Sequence, residues 1–219
     1  MKLLIGGTPT GTLKHISKEV YRRHCGMLTS WADGANPLHA LRIGSPWAMD
    51  NFAFTKFDAD KFRTSLMKYE GLPNCLFVVA PDVPFHAKAT MKLFETWREE
   101  IKRYGYPIAL AAQDGLESIS FRWDAFDAVF VGGTNKFKGS QFVQELVFEA
   151  RMRGKWTHMG RVNSIPRWNY CVNARFDSVD GTGYVIERRR VKEALAVIEY
   201  PPKPTWELRP SSNKEVLWV

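Results

Sequence analysis

Long apolar runs are missing from this chain. The most hydrophobic stretch, Cys75-Leu76-Phe77-Val78-Val79-Ala80, falls far short of the roughly 18 residues that a membrane-spanning helix needs, so no membrane segment is expected. Cysteine is scarce: Cys25, Cys75 and Cys171 lie far apart with no C-x-x-C pair. That spacing speaks against a disulfide framework and against a cysteine-rich zinc site, and it fits free thiols in a reducing compartment. The opening Met1-Lys2-Leu3-Leu4-Ile5-Gly6-Gly7 has too few apolar residues before glycine for a secretory h-region, so a cytoplasmic location is expected. No G-x-G-x-x-G follows the first apolar run, which weakens a dinucleotide-binding reading. Low-complexity segments and internal linkers are also lacking.

What is present suits one globular domain. The 219 residues are 45% hydrophobic and 25% charged, an ordinary globular composition long enough to bury a sizeable core. Lysine and arginine number 31 against 23 aspartates and glutamates, a net charge of +8 and a pI near 9.4. Such an excess favours a polyanionic partner such as nucleic acid, although a solvated basic face accounts for it equally well.

Strand and helix signals alternate along the chain. Strands are predicted at Leu3-Leu4-Ile5, Leu41-Arg42-Ile43, Leu76 to Ala80, Pro107 to Ala112, Ala128 to Val131, Lys155 to Gly160 and around Asp177. Helices are predicted over 58–69, 86–104, 140–153, 165–173 and 185–198, and residues 13–32 read as irregularly helical. The helix over 86–104 places Met91, Phe94, Trp97 and Ile101 on one face, and Ser140 is a plausible N-cap for the next. Beyond Tyr200 the prolines extend a tail over 201–219. Seven strands separated by helices point to a single α/β domain over 1–219, an irregular or incomplete (β/α) TIM-like barrel, with an open doubly wound sheet as the alternative.

The polar residues fall where a barrel would build a site. Asp50, Asp82, Gln113, Gly132-Gly133, Met159-Gly160 and Asp177 stand at or just past strand ends, which converge on one mouth in a parallel barrel. Each has a plainer reading: Asp82 could cap the next helix, Asp50 could form a turn, and Gly132-Gly133 could be a tight strand exit. Within Phe176-Asp177-Ser178-Val179-Asp180, a carboxylate in a buried strand asks for a partner or a use. Asp177 is read as a nucleophile. Asp180, on the opposite side of an extended strand, is assigned to the turn shaped by Gly181 and Gly183.

Taken together, the series resembles the tRNA-guanine transglycosylase superfamily over roughly 46–182, and more closely its DNA-acting branch, the 7-deazaguanine DNA transglycosylases of phages and bacteria. Asp50 and Phe54 stand at the spacing of that family's D-x-x-x-Tyr element. Asp82 resembles its guanine-gripping aspartate, Gln113 its strand-end glutamine, Val131-Gly132-Gly133 its Val-Gly-Gly, Met159-Gly160 its Met-Gly and Phe176-Asp177-Ser178 its nucleophile motif. The resemblance implies an enzyme that exchanges guanine in a polynucleotide for a free 7-deazaguanine base, a modification that could resist restriction nucleases, with no cofactor and no metal. In that scheme Asp177 captures C1′ covalently, as in retaining glycosidases, and Asp50 moves protons on the departing and arriving purines. Asp82 accepts the two guanine N–H donors, Gln113 and the Gly133 N–H contact O6, and Phe54 and Met159 sandwich the ring. Lys136, Lys138, Arg161, Arg167 and Arg175, with Arg188 to Arg190 nearby, are candidates for the polynucleotide backbone. The family's tyrosine is phenylalanine at position 54, and its zinc cysteines and long C-terminal region are lacking. Those departures favour DNA over tRNA as partner, in the host cytoplasm if the chain is phage-encoded. Alternatives are a tRNA-directed homologue, a non-catalytic nucleic-acid-binding barrel and an unrelated barrel hydrolase acting on a sugar.

Overall fold

A computed structural model describes residues 1–32, 35–187 and 190–199. Eight parallel strands pair in sequence order, and β8 returns to β1 to close a barrel. The first half contains β1 (Lys2–Gly6), α1 (Pro9–Thr12), α2 (Lys18–His24), β2 (Cys25–Ser30), α3 (Leu38–Leu41), β3 (Trp47–Asp50), α4 (Ala59–Lys68) and β4 (Cys75–Val79). The second contains α5 (Ala87–Arg103), β5 (Ile108–Ala112), β6 (Ala128–Val131), α6 (Asn135–Lys138), α7 (Gln141–Met152), β7 (Trp156–Met159), α8 (Ile165–Asn173), β8 (Ser178–Asp180), α9 (Gly183–Ile186) and α10 (Arg190–Glu199). The barrel is complete. Among the described residues, no helix is long and apolar enough to cross a membrane.

Local chemistry explains the regular elements. Ser17, Asp58, Thr134, Ser140 and Ser164 each accept a backbone N–H three residues on, capping α2, α4, α6, α7 and α8; such caps typically contribute about 1 kcal/mol each. Helix α5 buries Phe94, Trp97 and Ile101 against the sheet, each worth about 1.5–3 kcal/mol in apolar surface removed from water. Strand β5 is buried at all five positions because one face meets the barrel interior and the other the helices.

The alternation of strand side chains divides the core in two. One layer, between sheet and helices, takes Leu3, Ile5, Met27, Met49, Val129, Met159 and Val179. A smaller cluster fills the barrel: Leu4, Ala48, Phe77, Val79, Ala109, Ala111 and Ala128, with Phe130 and Trp156 packed against it. Alanine at four of these positions leaves room for Phe77, Phe130 and Trp156. Continued by two residues, the same interior rows carry Asp50 after Ala48, Gln113 after Ala111, Gly132 after Phe130, and His158 after Trp156. The barrel is therefore apolar low down and polar at its C-terminal mouth.

Two strands were not legible in sequence, and one was misplaced. The predicted strand at 41–43 is the end of α3 and the turn after it, while β2 occupies Cys25–Ser30 inside the stretch read as helical. Cys-Gly-Met-Leu-Thr-Ser is buried almost throughout, so it has no polar alternation to mark it, and α2 runs directly into it. β3 was hidden because only four residues separate Pro46 from Asn51. The predicted helix at 185–198 is split into α9 and α10, and the predicted tail over 201–219 lies outside the described residues.

Candidate functional site

Three carboxylates come together at the mouth: Asp50 at the end of β3, Asp82 past the end of β4, and Asp180 at the end of β8. Asp50 senses both of the others electrostatically, and its carboxyl is pushed up from 3.8 to about 7. Burial is the largest cause; next come Asp180 and then Asp82, opposed by hydrogen bonds from the Phe52 and Asn51 backbone N–H groups. Like charges at one mouth cannot all ionise cheaply, so the most enclosed of them keeps its proton. A carboxyl that titrates near neutrality can both give and take a proton.

Asp82 is held in a polar frame that sequence reasoning found only in part. Asn51 Nδ2 donates to Asp82 Oδ1 at 2.8 Å and to the Ala80 carbonyl at 2.7 Å. Gln113 Nε2 donates to Asp82 Oδ2 at 2.5 Å, while Gln113 Oε1 accepts the Phe85 N–H at 2.9 Å. A backbone N–H can only donate, so the Phe85 contact fixes which way the Gln113 amide faces. The Asp82 carboxyl is raised by burial, offset by the Asn51 and Gln113 hydrogen bonds and by Arg161. Each of its oxygens keeps lone-pair capacity for a further donor. Gly132 makes this frame possible, because a methyl group there would lie 2.5 Å from Gln113 Nε2.

Asp180 is bound by a chain of hydrogen bonds that runs down into the barrel. His158 Nε2 lies 2.9 Å from Asp180 Oδ2, His158 Nδ1 lies 2.8 Å from Ser178 Oγ, and Trp156 Nε1 donates to Ser178 Oγ at 2.7 Å. The indole N–H has no acceptor function, so Ser178 accepts from Trp156 and its own hydroxyl proton is available to His158 Nδ1. Facing a carboxylate, which accepts, His158 Nε2 is the donor to Asp180. The imidazole is buried and stacks on Phe130 at 4.8 Å and 21°. Asp180 Oδ1 accepts the Arg161 N–H at 3.1 Å. His158 and Ser178 escaped sequence reasoning because nothing local distinguishes a histidine in a buried strand; only the interior row of β7 and β8 reveals them.

Several expected site residues lie elsewhere. Asp177 precedes β8 at the opposite end of the barrel, where its carboxylate accepts from Arg151 Nη1 at 2.7 Å, the Thr157 N–H at 2.9 Å and Thr157 Oγ1 at 2.8 Å. Its main chain bonds to Lys2 and Thr157 at the strand starts. Three residues of extended chain, about 10 Å, separate it from Asp180, and the odd spacing turns it toward the helices. Asp177, read as a nucleophile, is therefore not at the mouth; the carboxylate that β8 places there is Asp180. Met159 also faces outward, with its sulfur 3.4 Å from Cys171 Sγ, so it cannot sandwich a ring; His158, one residue earlier, points inward. Arg175 belongs to the same far end as Asp177. Lys138 is buried, its ammonium donating to the Gly160 carbonyl at 2.6 Å, and it supports the loop after β7 without facing solvent. Gly133 adopts φ +79°, and a methyl group there would meet Asp114 and Phe137; the loop's own packing is what excludes a side chain.

Asp50, Phe54, Asp82, Gln113 and Gly132 do gather at the mouth. Phe54 is 58% exposed, and the Arg161 guanidinium lies over its ring at 4.2 Å. Arg161 also donates to the Gly133 carbonyl at 2.9 Å, and Arg167 donates to the Arg161 carbonyl at 3.1 Å. Lys136 is exposed on α6, just past the Gly132-Gly133 exit. Arg188 and Arg189 lie outside the described residues, whereas Arg190 donates to the Asn163 carbonyl at 2.8 Å. Among the described residues, no group of three or more His, Cys, Asp or Glu side chains is placed to hold a metal ion. No protein-family model and no curated protein matches this chain.

Proposed function

We propose that the chain is a base-exchange transglycosylase that replaces guanine in DNA with a 7-deazaguanine derivative. The observation that carries this reading is the convergence of Asp50, Asp82 and Asp180 on one barrel mouth, each in a different environment. Asp180, oriented by His158 and the Arg161 N–H, attacks C1′ as the bond from C1′ to the purine nitrogen breaks; the result is a covalent aspartyl sugar. The incoming base then displaces Asp180 and restores the glycosidic bond. Asp50, with its carboxyl near neutrality, gives a proton to the departing guanine and takes one from the arriving base. Asp82 accepts from the guanine Watson–Crick edge with its remaining lone pairs, and the second Gln113 Nε2 proton is available to O6. Phe54 offers a stacking face. Because the target base must leave its helix to enter such a mouth, Lys136 and Arg161 are suited to the backbone beside it.

The test is incubation of the protein with duplex or single-stranded DNA and a labelled 7-deazaguanine, followed by mass spectrometry of the nucleosides. Incorporation in wild type that is lost in Asp180→Asn supports the proposal. Incorporation into tRNA alone would overturn the choice of DNA, and release of guanine without incorporation would make the protein a hydrolase.

A further inference from the structure

Phe85 is an exposed aromatic residue that the base-exchange reading leaves unused. It follows Asp82-Val83-Pro84 in the loop between β4 and α5, is 44% exposed and has φ +67°. A bulky side chain rarely adopts that backbone region, and it persists only where the surroundings hold it. Here they do. The Phe85 N–H is bonded to Gln113 Oε1, and the buried Thr90 hydroxyl bonds both the N–H and the carbonyl of Val83 at 3.0 and 3.1 Å. The ring is therefore presented to solvent by a pinned loop and shares Gln113 with Asp82.

Its relation to Phe54 decides what it can bind. The two ring centroids are 6.0 Å apart with an interplanar angle of 82°, so the two rings cannot sandwich one flat base between them. Rings stacked on the two would be set roughly at right angles to one another. The Arg161 guanidinium lies by both, 4.2 Å from the Phe54 centroid and 5.6 Å from that of Phe85. An extruded base is no longer stacked on its neighbour, and one phosphate joins the two nucleotides, so a pair of non-parallel rings beside one guanidinium suits them.

We propose that Phe85 and Arg161 form a second subsite for the nucleotide next to the target, Phe85 stacking on the neighbouring base and Arg161 taking the phosphate that joins the two. The net charge of +8 and the exposed Lys136 beside the mouth complement a polyanionic strand. Stacking on an aromatic side chain is tolerant of base identity, so this subsite grips a strand without reading its sequence. The inference rests on the nucleic-acid reading above.

Binding of a fluorescein-labelled oligothymidylate carrying one guanine, followed by anisotropy, tests it. Phe85→Gly removes the ring and relieves the positive φ, so folding is not at risk. Stacking on one base corresponds to about a 5- to 150-fold loss of oligonucleotide affinity in this variant, with Phe85→Trp retaining wild-type affinity. An oligonucleotide abasic on both sides of the guanine loses the same factor against wild type and nothing further against Phe85→Gly. Binding of free 7-deazaguanine, measured by calorimetry, is unchanged in Phe85→Gly. Equal oligonucleotide affinity of Phe85→Gly and wild type overturns the proposal, as does an equal loss for the free base, which would place Phe85 inside the base pocket. A wild-type protein that shows the Phe85-dependent binding but exchanges no base leaves this subsite standing and overturns the transglycosylase reading alone.

Discussion

Asn substitutions at Asp177 and Asp180 test whether the first carboxylate is structural and the second is the proposed nucleophile. Asp177 receives three donors at 2.7 to 2.9 Å from Arg151 and Thr157 at the base of the barrel. Hydrogen bonds to a charged group contribute about 1.5–3 kcal/mol each in favourable cases, and the amide retains one oxygen that can still accept. Asp177→Asn is therefore expected to cost about 2 kcal/mol, which lowers Tm by about 4–8 °C in a domain of this size. Base exchange measured well below that Tm should stay within severalfold of wild type. Asp180→Asn should do the reverse. On the proposed reading it removes the nucleophile and lowers turnover by several orders of magnitude; the weakened hydrogen bonds from His158 and the Arg161 N–H are offset by loss of the second largest cause of the raised Asp50 carboxyl, so stability falls less than in Asp177→Asn. Thermal unfolding by circular dichroism and single-turnover exchange on the same preparations give both readouts. If Asp177→Asn abolished exchange while remaining folded and Asp180→Asn left it intact, the assignment of the mouth carboxylate as nucleophile would be refuted.

Other outcomes follow from the same geometry. The Asp50 carboxyl holds its proton in the folded state up to about pH 7 but loses it near 3.8 when unfolded; its contribution is full below 3.8 and lost as pH rises through about 7. At 1.36 kcal/mol per unit the ceiling is about 4 kcal/mol, trimmed to about 1–3 kcal/mol by partial exposure, so Asp50→Asn should exceed wild-type stability above about pH 7 in urea titrations. Burial lowers the Lys138 ammonium from 10.5 to about 7, so the folded state loses that proton before the unfolded one and gains stability as pH rises from about 7 to 10.5. Lys138→Met should remove this slope; an unchanged slope in urea titrations would show that the ammonium is not buried. Nitrogen NMR of the His158 ring should show the proton on Nε2 at neutral pH. His158→Leu should lower kcat by about 10- to 150-fold, from the loss of one hydrogen bond to a charged group, with His158→Gln recovering part of it and KM changing little.

Much of the fold was legible because amphipathic helices and buried strands carry local marks. Helix α8 at 165–173 and the Ser140 cap of α7 stand where apolar spacing and cap chemistry predict them. β2 was not legible, since a strand buried on both faces shows neither period, and β3 is only four residues long. Within the site, Asp50, Asp82, Gln113 and Gly132 were readable as polar or glycine positions after apolar strands. A strand centred on Asp177 puts that residue in mid-strand, whereas α8 ends at Asn173 with Ala174 as its C-cap and β8 starts only at Ser178. With the strand starting at Ser178, Asp177 stands at the foot of the barrel and Asp180 at the mouth.

By itself the sequence determined that strands and helices alternate, that the chain carries a basic excess, and that carboxylates and glycines follow several of the strands. Those properties are local, written in composition and in periods of two and 3.6 residues. Only the tertiary structure decided which of two aspartates three residues apart faces the site, that His158 and not Met159 points inward, and that Phe54, Phe85 and Arg161 meet at one rim. The physical reason is that barrel closure assigns every strand position a face and a height. A side chain's partners at the mouth come from strands far away in sequence, and no local pattern encodes them.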